Sequence, residues 1–182
     1  MNNKKGCKIG MCGTVSCGKT TLVNELKKLP QFSNYKFVTE RSKYLRDLGI
    51  PLNIDSTING QIVFAAERAS ELLVENIITD RTIIDVQAFT MLAESITEEQ
   101  KKDFTKLTSH LIEQYDYIFY ISPNEVPIED NGVRTIDPEY RELIDINIRQ
   151  IIGQNMDKIQ NFLHISGTID ERVKMVLHFL EI

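Results

Sequence analysis

Cysteine is scarce in this chain of 182 residues, and its three copies, Cys7, Cys12 and Cys17, crowd into one short N-terminal segment. An odd number so close together makes a poor disulfide framework, and no His or Cys cluster completes a zinc site. They read as small apolar fillers of a reducing compartment. An excess of basic residues is also missing: 21 Lys and Arg against 26 Asp and Glu leave a net charge of −5. That balance excludes broad, nonspecific nucleic-acid binding, which needs a basic face, while a local phosphate site needs only a few donors. No apolar run reaches the length of a membrane span, and the opening "MNNKKGCK" lacks the apolar core of a signal peptide. The expectation is a cytoplasmic protein without a membrane partner. Repeats, low-complexity tracts and linkers rich in Pro and Gly are lacking as well.

What is present is an ordinary globular composition, 42% hydrophobic and 26% charged, in a chain long enough for one domain with a real core. Short apolar runs predict strands at Lys8–Cys12, Lys36–Thr39, Ile77–Asp80, Tyr117–Ser122 and Phe162–Ser166. Helical periodicity predicts Lys19–Leu29, Arg41–Leu48, Ile58–Asn76, Ile83–Glu94, Glu98–Gln114, Pro138–Asn155 and Ile169–Leu180. Such alternation implies βαβ units: an α/β three-layer sandwich with a five-stranded parallel sheet and helices on both faces. Thr82-x-x-Asp85, Thr97-x-x-Gln100 and Thr168-x-x-Glu171 fit capping boxes, and Asp137-Pro138 fits an N-cap followed by proline at the first helical position. Pro123–Asp137, carrying Asn131-Gly132, has no clear period. Loops of that length are usually lids or disordered, and the reading here is a lid over about residues 123–141.

Gly13-Thr14-Val15-Ser16-Cys17-Gly18-Lys19-Thr20-Thr21 follows the first strand and opens a helix, and it matches the P-loop pattern G-x-x-x-x-G-K-[ST]. Glycines let backbone N–H groups converge on phosphate oxygens, and the helix beginning near Lys19 adds its positive end. Lys19 would reach the β- and γ-phosphates of a nucleoside triphosphate, and the Thr20 hydroxyl would ligate Mg²⁺. No Asn-Lys-x-Asp is present to read guanine, and a remodelling ATPase normally needs a longer chain. A small-molecule kinase fits best, with a nucleotide-binding regulatory NTPase, hydrolysing ATP or GTP without an acceptor, as the alternative.

Two strand tips add chemistry, and Glu40, Arg41 and Arg81 there are expected on the acceptor side of the site. Asp80-Arg81 ends the third strand, where ligands of parallel sheets bind, and an acid there can hold the Mg²⁺ water shell. Glu40-Arg41 ends the second; its carboxylate can act as a general base or orient an acceptor hydroxyl. In the long third helix, Ile58, Ile62, Ala65, Ala66, Ala69, Leu72 and Leu73 form the expected apolar stripe. Gln61 and Arg68 share another face two turns apart, offering a paired donor and acceptor and a guanidinium fork, against the plainer alternative of a solvated face.

Taken in order, strand–GxxxxGK[ST], Glu-Arg, Gln-x₆-Arg, Asp-Arg-[ST]-x-x-Asp, a lid arginine and "SGTIDERV" resemble the small P-loop kinases of the thymidylate-kinase-like group. The likeness is nearer to the ribosylnicotinamide-kinase domain of bacterial NAD-metabolism regulators and the AAA-type NTPases grouped with it, and spans roughly Lys8 to Val176. "ITDRTIIDVQAF" and "EDNGVRTIDPEYRELIDINI" carry most of it. The resemblance implies ATP and Mg²⁺ as cofactors and Asp80 as the acid near the metal and acceptor. It implies Arg134 and Arg141 as lid arginines over the transferring phosphate, Ser166-Gly167-Thr168 as the loop around adenine, and Gln61 and Arg68 facing the acceptor. The acceptor would be ribosylnicotinamide, a deoxynucleoside or a nucleoside monophosphate. Two departures stand out: Glu40-Arg41 lacks the Pro-Gly that often follows the acid in thymidylate kinases, and these 182 residues are too few to include the nucleotidyltransferase domain that ribosylnicotinamide kinases carry. Any helix of such a fold could pack a homodimer.

Overall fold

The computed structural model describes residues 6–39, 41–124, 126–127 and 137–182. Five strands form one all-parallel sheet: β1 (Lys8–Cys12), β2 (Lys36–Val38), β3 (Ile77–Thr79), β4 (Tyr117–Ile121) and β5 (Phe162–Ile165). Their spatial order is β2-β3-β1-β4-β5, so β1 is central and feeds its loop between the ends of β3 and β4. The helices are α1 (Lys19–Lys27), α2 (Ser42–Asp47), α3 (Ile58–Glu71), α4 (Ile83–Leu92), α5 (Glu98–Thr108), α6 (Pro138–Gln154) and α7 (Ile169–Phe179). The expected architecture is present.

Alternation along the strands divides the core in two. Ile9, Met11, Phe119 and Ile121 face α1 and α7, where Leu22, Leu26 and Val176 close one apolar layer. Cys12, Ile118 and Tyr120 face the opposite layer, built around α4 and α6. Residues Ile83 to Thr90 of α4 are all buried, because the helix lies between α3, α5 and α6. That enclosure explains why "IIDVQAFT" shows almost no polar face.

The boundaries shift where side chains compete with the helix ladder. The pattern Ile58–Asn76 ends five residues early, at Glu71, and the intervening residues turn the chain into β3. The pattern Glu98–Gln114 breaks into α5 and a 3₁₀ segment, Ser109–Gln114. At the break the Thr108 and Ser109 hydroxyls bond back to the carbonyls of Phe104 (2.8 Å) and Lys106 (3.2 Å). Helix α3 corrects a larger expectation. Its inward residues include Gln61, Ala65, Arg68 and Glu71, whereas Ile62 and Leu73 of the expected apolar stripe are 50% and 83% exposed, and Ala66 is exposed too. Ala65 and Leu72 of the stripe are buried and Ile58 and Ala69 pack against the core, while Gln61 and Arg68 on the same inward side line a cavity.

Candidate active site

The loop between β1 and α1 turns on positive φ angles at Gly13 (153°), Ser16 (53°) and Gly18 (88°). A Cβ at Gly13 would stand 2.7 Å from the Ile121 carbonyl oxygen and 2.8 Å from Cys17 Sγ, so only glycine fits. Cys17 itself is buried, its sulfur accepting from Lys19 Nζ at 3.5 Å. Lys19, 7% exposed, also donates to the carbonyls of Gly13 (2.6 Å) and Thr14 (2.7 Å) and lies 4.0 Å from Asp85 Oδ1.

Asp85 is the residue sequence reasoning placed only as a cap. Its Oδ2 does complete the capping box, accepting from the Thr82 amide (2.8 Å) and hydroxyl (2.9 Å). Its Oδ1 accepts from the Gly13 amide at 3.2 Å, and the side chain is fully buried. A cap occupies one carboxylate oxygen; the other, at a buried position beside β1, must find a donor. That requirement was the available signal.

Asp80 leaves β3 as expected, buried, and its Oδ2 accepts the Thr20 hydroxyl at 2.5 Å. The contact sets a hydroxyl and a carboxylate side by side at the mouth of the loop. Residues 15–21, Asp80, Arg81 and Val126 line a cavity of about 480 Å³ there. A second cavity, about 560 Å³, adjoins it, with Val15 and Arg81 in both walls. Arg41, Gln61, Arg68 and Arg81, four of the five residues expected on the acceptor side, line this second cavity together with Ser42, Asn53, Phe64 and Phe89. Glu40, the fifth, lies outside the described residues, as does Arg134.

Two of the three arginines of this cavity pair with acids. Arg68, 2% exposed, donates Nη2 to Glu71 Oε1 at 2.5 Å, and Arg41 Nη1 sits 3.2 Å from Glu67 Oε1. Burial raises the Glu71 carboxyl above its ordinary range, and the Arg68 charge opposes the rise. Arg81 lies over the Phe89 ring, 5.0 Å from its centroid. Gln61 is 2% exposed, so the solvated-face alternative does not hold for it or for Arg68.

Two further arginines contact the loop from behind. Arg141, expected at a transferring phosphate, instead donates Nε to Val15 O (3.2 Å) and Nη2 to the carbonyls of Ser16 (3.2 Å), Pro123 (3.1 Å) and Val126 (3.0 Å). The reason is position: it stands on the first turn of α6, whose backbone is tied to the loop by Thr14 Oγ1 donating to Arg141 O at 2.7 Å. Arg172 of α7, unremarked in the sequence, donates to Gly167 O (2.7 Å), Cys17 O (2.7 Å) and Ser122 O (3.3 Å). Gly167 thereby joins the phosphate-loop side of the molecule. Thr168 caps α7 with Glu171, whose carboxyl the Thr168 amide and hydroxyl hold below its ordinary range. Among the described residues no helix is long and apolar enough to cross a membrane.

Comparison with known proteins agrees with this fold. The family profile described as AAA domain matches residues 8–172. No curated protein sequence matches the chain. Among solved structures, deoxyadenosine kinase from M. mycoides, with dCMP and a flexible dCDP bound, superposes with a TM-score of 0.69 at 20% identity, covering 96% of this chain and 98% of that one. Thymidylate kinase from Candida albicans gives 0.71 at 18% identity, covering 97% and 92%. NadR protein in complex with NR gives 0.73 at 17% identity, covering 97% of this chain and 52% of that one. At these identities the likeness is one of fold: the chain has the P-loop kinase-like fold, from the group its motifs resemble.

Proposed function

The chain belongs to the AAA domain family, and we propose that it is an ATP- and Mg²⁺-dependent kinase transferring the γ-phosphoryl group to a nucleoside-like or nucleotide-like acceptor. The observation that carries this reading is the second cavity. A nucleotide switch needs a phosphate loop and a metal; it has no use for a second chamber, walled by apolar side chains with a few placed polar groups, beside that loop. Here Gln61 and the acid-fixed Arg68 line such a chamber, and Arg81 stands at the junction with the phosphate cavity.

In this reading the loop amides and Lys19 take the triphosphate, with Lys19 exchanging the carbonyls of Gly13 and Thr14 for phosphate oxygens. Thr20 Oγ1 and Asp80 Oδ2 are hard oxygen donors of the kind Mg²⁺ takes from protein while keeping water and phosphate oxygens elsewhere. The metal, when bound, neutralises charge on those phosphate oxygens. Gln61 orients a planar base or carboxamide by paired hydrogen bonds, and Arg81 meets charge near the transferring group. Glu40 orients the acceptor hydroxyl or receives its proton. Arg134 would close from the lid segment. Reaction then rests on position and preorganised charge rather than on covalent chemistry by the protein.

The test is incubation with γ-labelled MgATP and a panel of ribosylnicotinamide, deoxynucleosides and nucleoside monophosphates, followed by separation of labelled products. Label transferred to one of these acceptors is the expected result. Slow release of phosphate, indifferent to every acceptor, would sink the kinase and favour the regulatory NTPase. Asp80→Asn should lower turnover by about 10²-fold or more and raise the Mg²⁺ concentration needed for half-maximal rate, read from a metal titration. An unchanged metal requirement removes Asp80 from the metal site.

A further inference from the structure

Every carbonyl of the phosphate loop from Gly13 to Cys17 accepts from a cationic side chain. Lys19 takes Gly13 and Thr14, Arg141 takes Val15 and Ser16, and Arg172 takes Cys17. The next carbonyl, of Gly18, is the first acceptor of α1, bonded to the Leu22 amide at 3.0 Å. Because a peptide unit is planar with its C=O and N–H opposed, fixing each of these carbonyls also fixes the direction of the amide that follows it, those of residues 14–18. The loop holds this shape although Ser16 sits in the left-handed region, which costs a residue with a Cβ roughly 1–2 kcal/mol.

Arg172 differs from its two companions. It is 3% exposed, and among the described residues no carboxylate pairs with it; its bonds go to three carbonyls, one each from the loops after β1, β4 and β5. A buried guanidinium without a counter-charge is costly, and carbonyl dipoles offset only part of that cost. Its Nη1 lies 3.1 Å from where a Cβ on Gly18 would stand, immediately beneath the turn that opens α1. An anion held by the loop amides would bring negative charge close to this turn.

We propose that Arg172 is a positioning residue of the phosphate loop, whose buried charge holds the Cys17 peptide and the loops after β4 and β5 in register and is compensated when a polyphosphate binds. Lys19 is the cation that leaves its carbonyls for the ligand; Arg172 stays and keeps the loop open. The inference rests on the phosphate-loop part of the proposed function and is independent of the acceptor.

The experiment compares wild type with R172M, R172Q and R172K by melting temperature without ligand and by calorimetric binding of MgATP and of inorganic pyrophosphate, which probes the loop alone. R172M and R172Q should bind both ligands at least about tenfold more weakly, the range for losing a charge-assisted hydrogen bond. The unliganded melting temperature should change less than the affinity does, since losing the uncompensated buried charge relieves its desolvation cost and offsets the three carbonyls left without their donor. R172K, which keeps the charge, should stay closest to wild type in affinity. A purely structural brace predicts the opposite pattern, with the melt falling alongside affinity. Wild-type affinity in R172M and R172Q overturns the proposal, and so does R172K falling as far as R172M. If R172M fails to fold, R172Q and R172K decide it by the same comparison. A wild-type protein that binds neither ligand overturns the phosphate-loop reading itself, a result distinct from the other two.

Discussion

Lys19→Ala is expected to abolish nucleotide-dependent stabilisation. At about a hundred times its dissociation constant a ligand adds about 2.7 kcal/mol, so saturating MgATP should raise the wild-type melting temperature by roughly 5–10 °C in a domain of this size. The variant should show no rise. Nζ sits among the carbonyls of Gly13 and Thr14, and in the proposed function it is the cation that phosphate oxygens would capture. Alanine removes that charge and leaves both carbonyls without their donor. Turnover with any acceptor should fall below detection, since nothing else in the loop supplies a positive charge that can follow the γ-phosphate. A normal thermal shift in Lys19→Ala would refute the phosphate-loop assignment.

Asp85→Ala should damage both stability and binding. The carboxylate is fully buried and serves the Gly13 amide, the Thr82 amide and hydroxyl, and the Lys19 charge. Removing it strands donors in the interior beside an ammonium group, and breaking a buried charge pair in this way costs about 3–5 kcal/mol. The melting temperature should drop by about 10 °C or more. Asp85→Asn, which keeps an acceptor oxygen but loses the charge, should retain more of the fold and still bind MgATP weakly. Calorimetric melts and binding titrations of the two variants check this. Equal melts for wild type and Asp85→Ala would show that the cap and the loop contact are both dispensable.

These two residues mark how far the sequence could be read. Lys19 announces itself because the P-loop is a local device: spacing alone decides which amides converge and where the cation stands. Asp85 announced only its cap, which is also local, four residues long. Its bond to Gly13, seventy-two positions away, depends on β3 lying next to β1 and so is invisible along the chain. The same holds for α3. Periodicity found Gln61 and Arg68 on one face and placed Ile58, Ala65, Ala69 and Leu72 against the core, but it carried the expected stripe on to Ile62, Ala66 and Leu73, which are exposed. Period assigns residues to a face; it does not say how far round the helix the buried side extends, least of all where a cavity lined by Gln61 and Arg68 adjoins it. Arg141 shows a related limit. Its type suits a phosphate, but its place on the first turn of α6 sets its guanidinium against the carbonyl side of the loop.

The sequence by itself determined the alternation of strands and helices, the parallel sheet, the capping boxes and the phosphate loop, because each follows from contacts within a few residues or from a repeating pattern. The tertiary structure alone decided which charges pair. It set Thr20 against Asp80, Gly13 against Asp85 and Cys17 against Arg172, contacts spanning 60, 72 and 155 positions. Such partners are chosen by strand order and helix placement, and a buried ion takes whichever donor or acceptor that packing brings within reach.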